Sequence, residues 1–343
     1  MAAESARGVE TRARKRKRDI EVAQSGVAIP DLPFDVVVSH VLREKHLWDP
    51  ADLAVLRAVS KGMRDAVDAT GRKIEVVEEH SAAALGYLTT LKSLRRRGPL
   101  KNESLLCAAA ARNGDLEELQ ALREAKFPWD NWTCGFAAAS GHLEVLQWAH
   151  ENGCPWDEKT CGCAAGLGQL EVLKWVRANG CPWDEQTCAY AASFGQVEVL
   201  KWLRENGCPW DEWTCMSAAE RGHLEVLKWA RENGAPCTEK TCARAAESGH
   251  LEVLQWAREN GCPWDEWTCM SAVQFGHLEV LKWARENGCP WDEKTCVYAA
   301  KNGHLEVLKW ARENGAPCTE ETCRLAASLG HLAALKVLRE NGC

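Results

Sequence analysis

The feature that most constrains this chain is an interval. Asp115, His142, Gln169, Gln196, His223, His250, His277, His304 and His331 stand 27 residues apart, and each opens the same phrase. At its cleanest, from His223 to Gly249, the phrase runs HLEVLKWARENG, a four-residue turn, then Thr-Cys-x-x-Ala-Ala-x-x-Gly. The turn is Cys-Pro-Trp-Asp in most copies and Ala-Pro-Cys-Thr in two. A fixed period of this length is the signature of a repeat array, in which each unit leans on its neighbours. A chain of 343 residues could hold two ordinary domains, but the period favours one long array.

Each unit encodes two helices. From His142, the residues Leu143, Val145, Leu146, Trp148 and Ala149, at about 100° per residue, cover more than half of a helix surface. Glu144 and Gln147 share the polar remainder, and where that Gln is Lys, as in Glu171 with Lys174, the pair sits at a favourable i, i+3 spacing. So wide an apolar arc predicts cover on both flanks. Asn152-Gly153 supplies a left-handed stop and Pro155 prevents continuation. Asp157 then caps a second helix, Glu158 to about Gly166. Helices of about ten residues do not persist alone in water, so stacking is obligatory.

The rival is the leucine-rich repeat, whose period overlaps this one. It needs a strand with Leu-x-Leu alternation, which Val145-Leu146 breaks, and Ala, Glu, Lys, Leu and Arg favour helix. The unit instead resembles an ankyrin repeat, through Ala-Ala-x-x-Gly-His-Leu-Glu-Val-Leu-Lys. It is six residues shorter than the usual 33, and the missing residues fall between Gly153 and Thr160, where that family carries its hairpin finger. The expectation is an all-α solenoid of stacked helix-turn-helix, ankyrin-like repeats over residues 71–343, with little or no strand. The first copy, around Ala82-Ala83-Ala84-Leu85-Gly86, and the last, ending at Cys343, drift from the phrase as end units do.

Charge is uneven along the chain. Residues 1–28 carry seven Lys/Arg against four Asp/Glu, a net +3, so the remainder carries −10 of the total −7. An acidic body argues against a nucleic-acid-binding solenoid. No apolar run reaches the roughly 18 residues of a membrane span, and no secretory core opens the chain. Residues 1–28 compose a disordered basic tail, with RARKRKR at Arg12 to Arg18 as an import signal, a nucleic-acid patch or simply a solvated run. These features together place the protein in the cytoplasm or nucleus.

Between tail and array, residues 29–70 encode a small helical segment. Its text, LPFDVVVSHVL followed by DLAVLRAVSKGMRDAV, resembles an F-box. Leu32, Pro33, Asp35, Val36, Val37, Leu42, Asp52, Leu53, Val59, Ser60 and Lys61 match that pattern, while Met63 stands where the family often has an aromatic residue. The resemblance implies a eukaryotic protein that docks on a Skp-type adaptor, and through it a cullin. Leu32, Pro33, Val36, Val37, Val41, Leu42, Leu53 and Val59 would then be the adaptor-binding residues. The competing expectation makes the segment a helical cap for the array, and the chain a plain interaction scaffold.

Eighteen cysteines suggest a disulfide framework until they are placed. Nine form a column, Cys107, Cys134, Cys161, Cys188, Cys215, Cys242, Cys269, Cys296 and Cys323, beside the Ala-Ala pair, where a small buried hydrophobe suits a tight helix contact. With no signal peptide the cysteines are expected as thiols. The Cys-x6-Cys pair within a unit lacks the closing spacing of a structural zinc site, so no metal and no cofactor are expected.

A residue present in every copy is scaffold, and the places that vary are the places that select. The His column, replaced by Gln169 and Gln196, is expected to cap helices. The turn tryptophans Trp129, Trp156, Trp183, Trp210, Trp264 and Trp291 are expected to pack between repeats, and the two junctions with Cys237 and Cys318 to be softer. Phe194 and Phe275 are expected to pack. Two slots vary. The residue before the Thr runs Trp132, Lys159, Gln186, Trp213, Lys240, Trp267, Lys294, Glu321. The second residue after the column Cys runs Phe136, Cys163, Tyr190, Ser217, Arg244, Ser271, Tyr298, Leu325. The ankyrin resemblance puts both slots on the concave binding face. Trp132, Phe136, Tyr190, Trp213, Arg244, Trp267 and Tyr298, of the types that binding hot spots use, are therefore the expected contacts to a protein target. No phosphate loop and no nucleophile with a unique base occurs, so no enzyme is expected.

Overall fold

A computed structural model describes residues 78–340, which form twenty α-helices and no strand. The basic tail, the F-box-like segment with its eight proposed adaptor contacts, the start of the array at Gly71 and its last residue Cys343 lie outside the described residues. No described helix is long and apolar enough to cross a membrane.

The described helices fall into two compact units, one ending at Trp156 and the other beginning at Asp157. The first holds three helix pairs, from Glu79–Ala84 with Leu88–Arg97 to Asn131–Ala139 with Leu143–Glu151. The second holds seven, from Glu158–Gly166 with Leu170–Ala178 to Glu320–Ser328 with Leu332–Glu340. Within each unit the first helix of a repeat packs on the first helix of the next, and the second helix packs back on its own partner.

Local chemistry sets these boundaries. The Asp184 carboxylate accepts the Thr187 N–H at 3.3 Å, and Asp211 accepts that of Trp213 at 3.0 Å, fixing two first-helix starts. At the other end of the second helices, Asn206 Nδ2 donates to the Trp202 carbonyl at 2.8 Å and Gly207 takes φ of 80°, the left-handed stop. The Glu171–Lys174 pair forms at 2.8 Å but is largely exposed, so it contributes little. Stability comes from the core. Leu146, Leu173, Leu200, Leu227, Leu254, Leu281 and Leu308 are fully buried, each worth roughly 1.5–3 kcal/mol. Column cysteines from Cys107 to Cys296 are fully buried beside the alanines, and only Cys323 is partly open.

The His column does not cap. His223 stands at the start of the helix Leu224–Glu232, yet its side chain makes no capping bond. Its Nε2–H donates instead to the Ser193 carbonyl of the preceding repeat, at 3.1 Å. His142 reaches Arg112, His277 reaches Glu247, His304 reaches Gln274 and His331 reaches Lys301 in the same way, each across 30 residues. The imidazole is long enough to cross the junction and satisfy a carbonyl left open at a helix end. It lies flat on a glycine, so a methyl on Gly249 would meet His277 Nδ1 at 2.7 Å.

The turn tryptophans pack as expected, and a residue of unassigned role holds them. Arg204 folds back to donate to the Cys208 carbonyl at 2.5 Å, and its guanidinium lies 4.0 Å from the Trp210 centroid. Trp210 then meets Trp229 edge-on with centroids 6.0 Å apart. The same sandwich recurs at Arg177–Trp183–Trp202, Arg258–Trp264–Trp283 and Arg285–Trp291–Trp310, and in the first unit at Arg123–Trp129–Trp148. Cation–π and edge contacts of this kind are each worth about 0.5–1.5 kcal/mol.

The cysteines are not all thiols. Cys237 and Cys262 form a disulfide with Cα atoms 5.5 Å apart, inside the usual range, and Cys318 is also disulfide-bonded. The Trp slot overlies the following turn, so a cysteine there faces the first cysteine of the next repeat. The turn expected to be soft is therefore tied to the next turn. Elsewhere the first turn cysteine meets a column cysteine. A hydrogen bond with the Cys188 thiol, then burial, push Cys208 up, and Cys161 with Cys181 and Cys269 with Cys289 form equivalent pairs. Where the turn begins with Ala235 or Ala316, the column thiols Cys215 and Cys296 are pushed up to about 11, chiefly by burial.

Two outcomes follow from this packing. Gly249→Ala should cost more than Gly261→Ala in urea unfolding, by roughly 1–2 kcal/mol, because both pay for positive φ but only the first collides with a ring. Equal losses would refute the His–Gly lock. The raised thiols also predict alkaline weakening: stability is intact below the ordinary thiol value of 9.0 and falls as pH climbs toward about 11 for Cys215. The urea midpoint of Cys215→Ala should fall less steeply than that of the parent between those values, and parallel curves would contradict it.

Candidate functional site

The two variable slots lie on the first helices, which carry none of the sandwiched tryptophans. Trp132, Tyr190, Trp213 and Trp267 are 41%, 44%, 49% and 53% exposed, far too open for scaffold rings. Phe136, Arg244 and Tyr298 are half-buried. Their settings differ. In the first unit Trp132 and Phe136 touch at 5.5 Å, and the Arg112 guanidinium lies 5.6 Å from the Phe136 centroid. In the second unit Tyr190 rests on Gly162, where a methyl would meet the ring at 2.9 Å. Tyr298 has the Lys301 ammonium 6.0 Å from its ring.

Arg244 and Trp267 come together. They line an open groove of about 490 Å³ between the first helices Glu239–Glu247 and Glu266–Gln274. Arg244 is steered by Glu247 at 2.6 Å and Glu220 at 4.0 Å, so its fork is oriented before any ligand arrives. Lys240 pairs with Glu212 at 2.9 Å, and Lys294 sits 6.0 Å from the Trp267 ring. The floor is apolar, from the buried Met216 and Met270. Asp265 stands at the groove edge, capping its helix through the Trp267 N–H at 3.1 Å, and burial pushes its carboxyl up.

Two expectations need correction here. Phe194 and Phe275 do not bury: they are 52% and 46% exposed, because each occupies a helix end where only one side of the ring can lean on the preceding repeat. Phe194 leans on Gly166, where a methyl would lie 3.3 Å away, and Phe275 closes one end of the groove. The two methionines also went unassigned from sequence. Their signal is position, since each directly follows a column cysteine and so shares the groove-facing turn of its helix.

The geometry separates two tryptophans three residues apart. Trp267→Ala should change folding stability by no more than about 1 kcal/mol, as expected for a surface side chain. Trp264→Ala, which empties the space between Arg258 and Trp283, should cost roughly 2–3 kcal/mol. Thermal melts of the two variants check this, and similar losses would make Trp267 a packing residue.

Residues 242–285 match the family model described as ankyrin repeats (many copies), a span that begins within one wall of the groove and contains the other. Among solved structures, the human ASB11 ankyrin repeat domain is similar at 20% identity, over 52% of this chain and 96% of that one, with a TM-score of 0.43. No curated protein matches the chain.

Proposed function

We propose that this chain is a non-catalytic protein-binding protein that captures a protein target on its first-helix face. The observation that carries this is the contrast between two sets of aromatic rings on one scaffold. Trp129, Trp183, Trp210, Trp264 and Trp291 are sandwiched, whereas Trp132, Tyr190, Trp213 and Trp267 stand half-exposed in slots that change from repeat to repeat. Large, rigid rings held open on packed helices provide contact area at little entropic cost. Arg244, its guanidinium held by Glu247 and Glu220, adds an oriented charged group beside Trp267.

The finer proposal is that the chain is a substrate-recognition subunit of an SCF-type ubiquitin ligase. Its support is the sequence of residues 29–70, through which Leu32, Pro33, Val36, Val37, Val41, Leu42, Leu53 and Val59 would hold a Skp-type adaptor. The repeats would then present the captured protein for ubiquitin transfer by the other subunits.

One pair of variants tests both levels. Leu32→Ala with Pro33→Ala should abolish co-purification with Skp-type adaptors and leave target capture intact. Trp213→Ala with Trp267→Ala should do the reverse, weakening capture by about 30-fold or more if each ring carries the ~1–2 kcal/mol of a modest hot spot. If the parent chain binds no Skp-type adaptor, the ligase role falls and a plain scaffold remains. If capture survives the double tryptophan variant unchanged, the first-helix face is not the binding surface.

A further inference from the structure

We infer that the Cys237–Cys262 disulfide is a reversible latch that fixes the two walls of the groove at Trp267. Its consequence for target capture rests on the function proposed above; the latch itself does not.

Its position is the first argument. Cys237 lies two residues before the helix Glu239–Glu247, and Cys262 lies four before the helix Glu266–Gln274. Those helices are the walls carrying Arg244 and Trp267. The bond thus joins the roots of both walls, across 25 residues of chain.

The second argument is what the turn at Cys237 lacks. At the Trp129, Trp183, Trp210, Trp264 and Trp291 turns an arginine and a second-helix tryptophan clasp the turn tryptophan. Here that ring is replaced by Cys237, so Arg231 has no turn indole to cover, and the cap Asp is replaced by Thr238. Cleaving the bond leaves the turn before Glu239–Glu247 with neither covalent tie nor aromatic clasp, while the Trp264 turn it was tied to keeps its own clasp between Arg258 and Trp283. Cys318 has the same neighbours, Ala316 and Thr319, and is disulfide-bonded as well.

The third argument is that the reduced state is also well formed. Cys262 follows the column cysteine Cys242 by 20 residues, the spacing at which Cys161 meets Cys181, Cys188 meets Cys208 and Cys269 meets Cys289 as thiols. A released Cys262 thiol has a buried place to rest. Two discrete packings of one element are what a switch needs.

The chemistry is thiol–disulfide exchange. Cys237 is half-buried while Cys262 is fully buried, so a small thiol of the glutathione class attacks the Cys237 sulfur. The Cys237–Cys262 bond breaks, Cys262 leaves as a thiolate and takes a proton, and a mixed disulfide forms at Cys237. A second small thiol attacks its own kind in that mixed disulfide and releases Cys237. The protein gains two electrons and two protons, and two small thiols become one small disulfide. Re-oxidation runs the same steps backwards, with that disulfide as oxidant.

The test uses the full chain in oxidised or reduced glutathione, with hydrogen–deuterium exchange of peptides spanning 239–275 and mass-spectrometric thiol labelling. Labelling should reach Cys237 only in the reduced buffer, while column thiols such as Cys215 stay protected in both. Both walls should exchange at least about fivefold faster when reduced. Cys237→Ser should behave as reduced in either buffer. The triple change Ala235→Cys, Cys237→Trp and Thr238→Asp restores the common turn and should be protected in either buffer. Wall exchange that ignores the buffer, or Cys237 labelled equally in both, would overturn the latch. If the walls respond but Trp267-dependent capture of a target does not, the latch stands and its link to binding is overturned.

Discussion

Everything in the described structure depends on how closely one first helix can approach the next. Helices of nine or ten residues cannot hold themselves, so each must find most of its stability across a junction. The contact is made by the smallest side chains available, an Ala-Ala pair and a cysteine, with glycine at the helix end. That choice has a consequence for the cysteines: buried beside alanines, they hold their protons and behave as apolar filler. The His–carbonyl bond adds direction to a contact that is otherwise only close. An array built this way is uniform on the inside and free on the outside.

That freedom shows in two nearly identical copies. Cys208 to Gly234 and Cys262 to Gly288 differ only at Ala219/Val273, Glu220/Gln274 and Arg221/Phe275. All three changes fall at the end of the first helix. Ala219 and Val273 are buried, whereas Gln274 and Phe275 line the groove and Glu220 faces Arg244. Most of the difference between the copies therefore lies where a ligand would touch, and almost none where repeats hold each other.

Much of the fold was legible because period, turn chemistry and amphipathic arc agreed. The helix from Glu158 to Gly166 follows directly from Asp157 as cap and Pro155 as stop. Residues acting between repeats were harder to place. A histidine at a helix start suggests a cap, and only its reach across 30 residues shows that it bonds the first helix of the preceding repeat. The arginine of HLEVLKWARENG looks like a solvated charge until its guanidinium is seen over an indole. For the proposed site, the slots that vary hold exposed rings at Trp132, Tyr190, Trp213 and Trp267 and half-buried side chains at Phe136, Arg244 and Tyr298, because each side chain's exposure depends on what the neighbouring repeat places against it. Phe194 and Phe275, outside those slots, were expected to pack and stand half-exposed, since hydrophobicity alone does not tell a ring at a helix end from one in the core.

The disulfide shows how such a scaffold absorbs the loss of one of its repeated contacts. Replacing Trp by Cys at position 237 removes an indole that bridges two second helices, a loss that in a globular core would leave a cavity. Here the next turn supplies a cysteine from its own consensus, Cys262, which ties the altered turn forward to the following repeat. Only one new thiol is needed to form a bond, because every Cys-Pro-Trp-Asp turn already presents the other. The accompanying Ala235 withdraws the sulfur that would otherwise pair with Cys215, leaving that thiol alone in the core. A periodic chain can thus exchange a dispersive contact for a covalent one without altering its helix register. The exchange also makes that turn answer to thiol chemistry, which the tryptophan-clasped turns do not.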